Sequence, residues 1–170
     1  KKTIFQLCVL LAEINEKFFI ETSGNKIKFS VGKVRIISKV IDGKFPDYQK
    51  VVPKGNSKTL IVSSKDFINS VERVISVSLD RKEGVKLELS QNKLKLSVNS
   101  TNSGDGNEEI PAKYNGENIV IGFNSKYLID IASEIEDKDL TFNLKDSTSP
   151  VLVLDNSDKN SFYVIMPMKI

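Results

Sequence analysis

Lys65-Asp-Phe-Ile-Asn-Ser-Val-Glu-Arg-Val-Ile75 places Phe67, Ile68, Val71, Val74 and Ile75 on one helical stripe, with Ser64 ahead of it as an N-cap. The arrangement returns in Ser125-Lys-Tyr-Leu-Ile-Asp-Ile-Ala-Ser-Glu-Ile135, where Tyr127, Leu128, Ile131 and Ile135 form the stripe behind Asn124. Thr3-Ile-Phe-Gln-Leu-Cys-Val-Leu-Leu11 is a third version, with Ile4, Leu7, Cys8 and Leu11 in line. One pattern met three times at long intervals reads as a duplicated supersecondary unit.

Short alternating runs follow each helix. After the first come Phe18–Thr22, Lys26–Ser30 and Val34–Val40, with Ser23-Gly-Asn25 as a hairpin turn. After the second come Val85–Leu89 and Lys93–Val98 around a Gln91-Asn92 turn, then a polar loop over Asn99–Asn107 and a strand over Glu108–Ala112. After the third come Leu140–Leu144, Val151–Leu154 and Phe162–Met166. Alternation means one wet face and one buried face, hence antiparallel sheets. The second and third helices each own a preceding strand, Thr59–Val62 and Asn118–Ile121; the first has none. The expected fold class is α+β, built of β-α-β-β-β units whose antiparallel sheets pack on helices. Residues 56–170 form one complete pseudo-twofold domain, and residues 1–55 supply half of another plus a connector. A unit lacking its first strand has an unsatisfied sheet edge, so a C-terminal piece of a longer protein is expected.

Composition narrows the chemistry. The chain has 170 residues, one cysteine and no histidine. Without histidine, the commonest general base and the Ser-His and Cys-His nucleophile pairs are gone. Cys8 alone offers no intrachain disulfide and, with no histidine, no zinc site, which fits a reducing, cytoplasmic compartment. No cofactor is expected. No apolar stretch approaches a membrane span, and a net charge of +3 matters for a polyanion only if it is clustered.

Two further segments are unusually apolar for their positions. Val40-Ile-Asp-Gly-Lys-Phe-Pro-Asp-Tyr-Gln-Lys-Val-Val-Pro53 carries Phe45, Tyr48, Val51 and Val52, too many for a free linker, so it should pack. Tyr163-Val-Ile-Met-Pro-Met-Lys-Ile170 is an apolar run that must dock, yet Pro167 cannot continue a ladder. A core strand accounts for Val164 and Ile165 and leaves Met168 and Ile170 free to touch a partner.

Asp42-Gly-Lys-Phe-Pro-Asp-Tyr48, Met166-Pro-Met-Lys-Ile170 and Ile121-Gly-Phe-Asn-Ser-Lys-Tyr127 occur in that family's order, and with them the chain resembles the β subunit of bacterial DNA polymerase III, the sliding clamp. The resemblance implies the DNA-clamp fold and no catalysis. It implies a ring closed head to tail by two subunits, with this piece alone a monomer or a nonphysiological dimer through its broken sheet edge. Duplex DNA would pass through the ring, held without sequence preference by lysines. Lys1 and Lys2 are the first candidates; Lys65 and Lys126 read equally as solvated surface lysines. Polymerase, clamp-loader and repair proteins would dock short Gln- and Leu-rich peptides in an apolar groove. Its residues here would be Pro46, Lys50 and Val51 of the connector, then Asn124, Tyr127, Thr148 and Pro150. The tail would add Val164, Ile165, Met166, Pro167, Met168, Lys169 and Ile170. Val77 reads as a ring-interface position or as internal core.

The chain departs from the family pattern in places. Lysine stands for arginine at Lys50 and Lys169, losing a planar fork, and Thr148 and Pro150 change the groove rim. The family's groove also has a Thr-Asp-Gly-His-Arg-Leu-like wall that this sequence lacks, so weak peptide binding is expected. Two other readings compete: a non-clamp adaptor of α+β repeats, and a magnesium enzyme using Asp146, Asp155 and Asp158. For the latter, Asp155-Asn-Ser-Asp158 is more simply a turn.

Overall fold

The computed structural model describes residues 2–12, 14, 17–43, 47–77, 84–100 and 104–169. No helix among them is long and apolar enough to cross a membrane. The chain divides into two compact units, residues 1–46 and 47–170. Every strand pairing is antiparallel, as alternation required.

The first unit holds α1 (Lys2–Ala12) and a sheet ordered β1 (Phe19–Ser23), β2 (Lys26–Val31), β3 (Val34–Lys39). Gly24, at φ +54°, makes the first hairpin turn in a conformation that costs glycine nothing. The expected α1 stripe is corrected. Only Leu7 is buried on the helix; Ile4 and Cys8 are exposed and Leu11 is half-buried, while Phe5 and Val9 also face outward. The reason is architectural: this unit offers one sheet and no second helix among its described residues.

The second unit contains β4 (Lys58–Ser63), α2 (Ser64–Ile75), β5 (Gly84–Ser90), β6 (Lys93–Ser100) and β7 (Gly104–Pro111). It repeats with β8 (Ile119–Asn124), α3 (Ser125–Glu134), β9 (Asp139–Leu144), β10 (Val151–Leu154) and β11 (Phe162–Ile165). A short 3-10 turn, Tyr48–Lys50, precedes them. One core runs through both repeats, with Phe67, Leu87, Leu96, Phe123, Leu128 and Leu140 almost fully inaccessible. Phe67 of α2 meets Phe142 of β9 at a centroid distance of 5.4 Å.

Three expectations change here. The strand before each helix does not stay with its own repeat: β4 pairs with β9, and β8 pairs with β5, giving sheets ordered β11-β10-β9-β4 and β7-β6-β5-β8. Exchange of first strands welds the repeats, because neither sheet is complete without the other's strand. The polar run 99–107 is not a free loop. β6 and β7 extend into it from either side, as far as Ser100 and Gly104, pairing Val98 with Gly106 and Asn99 with Asp105. Gly106 permits this, because a Cβ there would lie 2.5 Å from the Val74 carbonyl oxygen of α2. Finally, Ser63 rather than Ser64 caps α2, its hydroxyl accepting from the Asp66 N–H. Ser64 is instead buried, and its hydroxyl donates to the Ala132 carbonyl of α3.

That bond sets the start of α2 beside the end of α3, while Glu72 and Ile75 lie beside Lys126 and Ile129. The two helices are therefore antiparallel, as a pseudo-twofold axis requires. Superposing the caps Ser63 and Asn124 pairs Ile61 with Gly122 and Lys65 with Lys126.

Candidate peptide-binding groove

The groove starts from the chain's last strand. β11 pairs with β10 through Val151↔Ile165 and ends at Ile165, which is buried. Pro167 then stops the ladder, as a residue without an N–H must. The tail crosses instead to the free edge of β8, where the Met168 N–H donates to the Gly122 carbonyl at 2.8 Å. Two backbone anchors thus hold Met166 between them, with its side chain 64% exposed. The segment after β7 makes the same crossing in the other repeat, with Lys113 and Ile61 exchanging both backbone bonds.

Around Met166 two depressions meet. One, about 550 Å³, is lined by Tyr127, Asp130 and Ile131 of α3 and by the 162–166 stretch of β11 and its end. The other is lined by residues 49–54 of the connector with Asp47, Pro150 and Met166. A third depression lies along the far side of the tail, among Lys86, Gly122, Thr148, Pro167, Met168 and Lys169. The structure therefore gathers Lys50, Val51, Pro150 and Met166 on one side and Tyr127, Val164, Ile165 and Met166 on another. Thr148, Pro167, Met168 and Lys169 form a separate wall.

Asn124 does not line these depressions; its side chain caps α3 by accepting from the Lys126 N–H at 3.0 Å. Tyr127, placed by periodicity on the core stripe, is corrected to an exposed position. The connector packs only in part: Val52 is half-buried, whereas Tyr48 and Val51 are exposed. Lys1, Phe45, Pro46 and Ile170 lie outside the described residues.

Sequence reading missed the residue that seats the connector. Asn56 donates through its amide nitrogen to the carbonyls of Asn143 and Pro150, both at 2.9 Å, tying the connector to the end of β9 and the residue ahead of β10. An asparagine in a linker reads as a turn former, and nothing local reveals these distant partners. Phe162 was also missed as a lining residue, although apolar residues at both parities of β11 signal two apolar faces.

Of the lysines proposed to face DNA, Lys2, Lys65 and Lys126 are all exposed. Lys126 is held by Asp130, at 2.8 and 2.9 Å, one helical turn on. Lys65 makes no ion pair among the described residues. Val77 is half-buried just beyond α2.

The three aspartates of the magnesium reading are occupied by their own loops. Asp146 accepts from the N–H and hydroxyl groups of Thr148 and Ser149, at 2.7–3.0 Å. These donors, the Thr148 N–H foremost, hold its carboxyl well below the usual carboxylate range. The Ser157 hydroxyl lowers Asp155, and the Ser161 hydroxyl lowers Asp158. A depressed carboxyl pKa contributes stability above the unfolded value of about 4, and that stability is lost as pH falls through the folded value. Asp146→Asn should therefore melt earlier than wild type at neutral pH, and the gap should close as thermal scans move below about pH 4. A gap of constant size would show that the charge is not what the turn uses.

Antiparallel four-stranded sheets backed by paired helices, with exchanged first strands, define a protein of duplicated clamp-like repeats. No catalytic constellation is present among the described residues. The comparisons agree. The profile described as DNA polymerase III beta subunit, C-terminal domain, matches residues 49–169, and the chain belongs to that family. It is 35% identical over its whole length to the beta sliding clamp of Caulobacter vibrioides, of which it covers 46%. The solved DnaN sliding clamp of Bartonella birtlesii, bound to griselimycin, superposes with a TM-score of 0.85 at 43% identity. That match covers 99% of this chain and 46% of that one. A Caulobacter crescentus pol III beta structure gives a TM-score of 0.86 at 36% identity, again covering 99% and 46%. The chain thus spans about half the length of these relatives.

Proposed function

We propose that this chain is the C-terminal portion of a bacterial sliding clamp, a non-catalytic processivity factor that keeps the replicative polymerase on DNA. In the whole protein, two subunits would close head to tail around duplex DNA in the cytoplasm. Residues 1–55 would complete the second half of a middle domain, and residues 56–170 would form the last domain. Lys1, Lys2 and Lys65 would face phosphates as sequence-blind point charges, with Lys126 contributing less because Asp130 neutralises it. Val77 would lie at the ring contact.

The observation carrying this reading is the pair of depressions that meet at Met166. Two neighbouring hollows suit a short peptide with two spaced apolar anchors: one is walled by Tyr127 and Val164, the other has Val51 and Pro150 as its apolar wall and Gln49, Lys50 and Lys54 as a polar rim. Burying one such anchor is worth about 1.5–3 kcal/mol. Two anchors less ordering costs give affinity no tighter than about micromolar, weak enough for partners to exchange. Calorimetric titration with a short Gln- and Leu-containing peptide should show saturable binding in that range. Griselimycin, the ligand of the Bartonella birtlesii clamp structure, should compete with it. Binding that left the NMR resonances of Tyr127 and Met166 unmoved would sink the assignment.

A further inference from the structure

The chain contains two methionines, Met166 and Met168, both on the tail that forms the ridge of the groove. Both are accessible, at 64% and 39%. Their surroundings differ. Met166 belongs to the two depressions walled by Tyr127 and Val164 and by Val51 and Pro150, the second with Lys50 and Lys54 at its rim, whereas Met168 faces the third, with Thr148, Lys86 and Lys169. An accessible thioether is open to peroxide, and its sulfoxide is polar where the thioether was apolar and pliable.

We infer that Met166 is a site of reversible oxidation that closes the groove to peptide partners. This rests on the peptide-docking reading of the same groove. In the forward step, the Met166 sulfur lone pair attacks one oxygen of hydrogen peroxide. An S–O bond forms as the O–O bond breaks, sulfur gives up two electrons, and the other oxygen leaves as water. A thiol-dependent methionine sulfoxide reductase reverses it: the sulfoxide oxygen leaves as water and two thiols become a disulfide.

The geometry explains why the effect falls on binding and spares the fold. Met166 lies past the end of β11, while buried Ile165 and the Met168–Gly122 backbone bond hold the tail on either side. A docked peptide would cover the new S–O dipole between Tyr127, Val164, Val51 and Pro150. Docking would strip water from that dipole, and on the connector side only the exposed, loosely held side chains of Gln49, Lys50 and Lys54 could replace it, so docking is opposed. At Met168, by contrast, the residue is less exposed, and Lys169 lines the same depression, which neither Tyr127 nor Val51 reaches.

The test uses the chain treated with hydrogen peroxide, peptide mapping by mass spectrometry, and fluorescence polarisation of a labelled Gln- and Leu-containing peptide. Cys8→Ser serves as the background, because Cys8 is an exposed thiol. One added oxygen at Met166 should weaken binding about tenfold, with an unchanged melting temperature and full recovery after reductase treatment. Comparing each variant with its own untreated sample, Met166→Leu should be insensitive to peroxide and Met168→Leu should remain sensitive. The inference is overturned if the oxidised chain binds as before, if it unfolds, if the reductase fails to restore binding, or if sensitivity follows Met168. Failure of the untreated chain to bind any peptide would instead defeat the groove reading, and this inference with it.

Discussion

Met166→Glu should weaken peptide binding by at least about tenfold and leave the thermal midpoint nearly unchanged. The side chain is 64% exposed and lies beyond the last ladder bond, so the fold loses little, within about 0.5 kcal/mol for a surface change. Binding loses more, because both depressions share this one residue. A glutamate there could pair with Lys50 or Lys54, but such a surface pair is worth at most about 1 kcal/mol. Removal of an apolar anchor contact costs about 1.5–3 kcal/mol, so the loss wins. Calorimetry and thermal melts on the same samples separate the two effects. Unchanged affinity would remove Met166 from the groove.

Why the pseudo-twofold mate of this groove is not a second one follows from individual side chains. With the helix caps superposed, Tyr127 and Ile131 correspond to Asp66 and Ser70. The shared edge crossing likewise sets Met166 against Pro111 and Tyr163 against Glu108. At the mate position Arg73 pairs with Glu108, and the Ser70 hydroxyl donates to the same carboxylate at 3.0 Å. The backbone was duplicated, and the apolar lining exists on one side only.

The sequence disclosed the elements because helical and strand periodicities are local. Capping at Asn124, the Gln91-Asn92 turn, with Asn92 at φ +59°, and the repeated helices all lie within windows of a few residues. Which sheet a strand joins is not local. Alternation in Thr59–Val62 says that one face is buried, not that the partner is Phe142 of the other repeat. The groove was legible only through resemblance, since Val51, Tyr127, Pro150 and Met166 come from four separate segments. Asn56, which fixes one of those segments, has no sequence pattern at all. The stretch at 99–107 misled for a different reason: glycine and polar residues signal a loop unless a helix backbone occupies the space where a Cβ would be.

That close approach carries the other large prediction. Gly106→Ala should destabilise the 47–170 unit by about 1–3 kcal/mol, and Gly106→Val by more. A Cβ on residue 106 would sit 2.5 Å from the Val74 carbonyl oxygen and 3.1 Å from its carbonyl carbon and Cα. The obstacle is helix backbone, so no rotamer change relieves it. Either α2 lifts from β7 or the β6–β7 ladder opens at Val98↔Gly106. Each route exposes part of the core around Val71, Val74 and Val98. At about 2–4 °C of midpoint per kcal/mol, circular dichroism should resolve the alanine variant easily. Asn107→Ala, an exposed neighbour on the same strand, should stay within about 0.5 kcal/mol of wild type. The lifted helix is also packed antiparallel against α3, which carries Tyr127, so Gly106→Ala should weaken peptide binding without touching the groove. An alanine variant that melts with wild type would mean that α2 does not rest on this strand, and the route from β7 through the helix pair to Tyr127 would be lost.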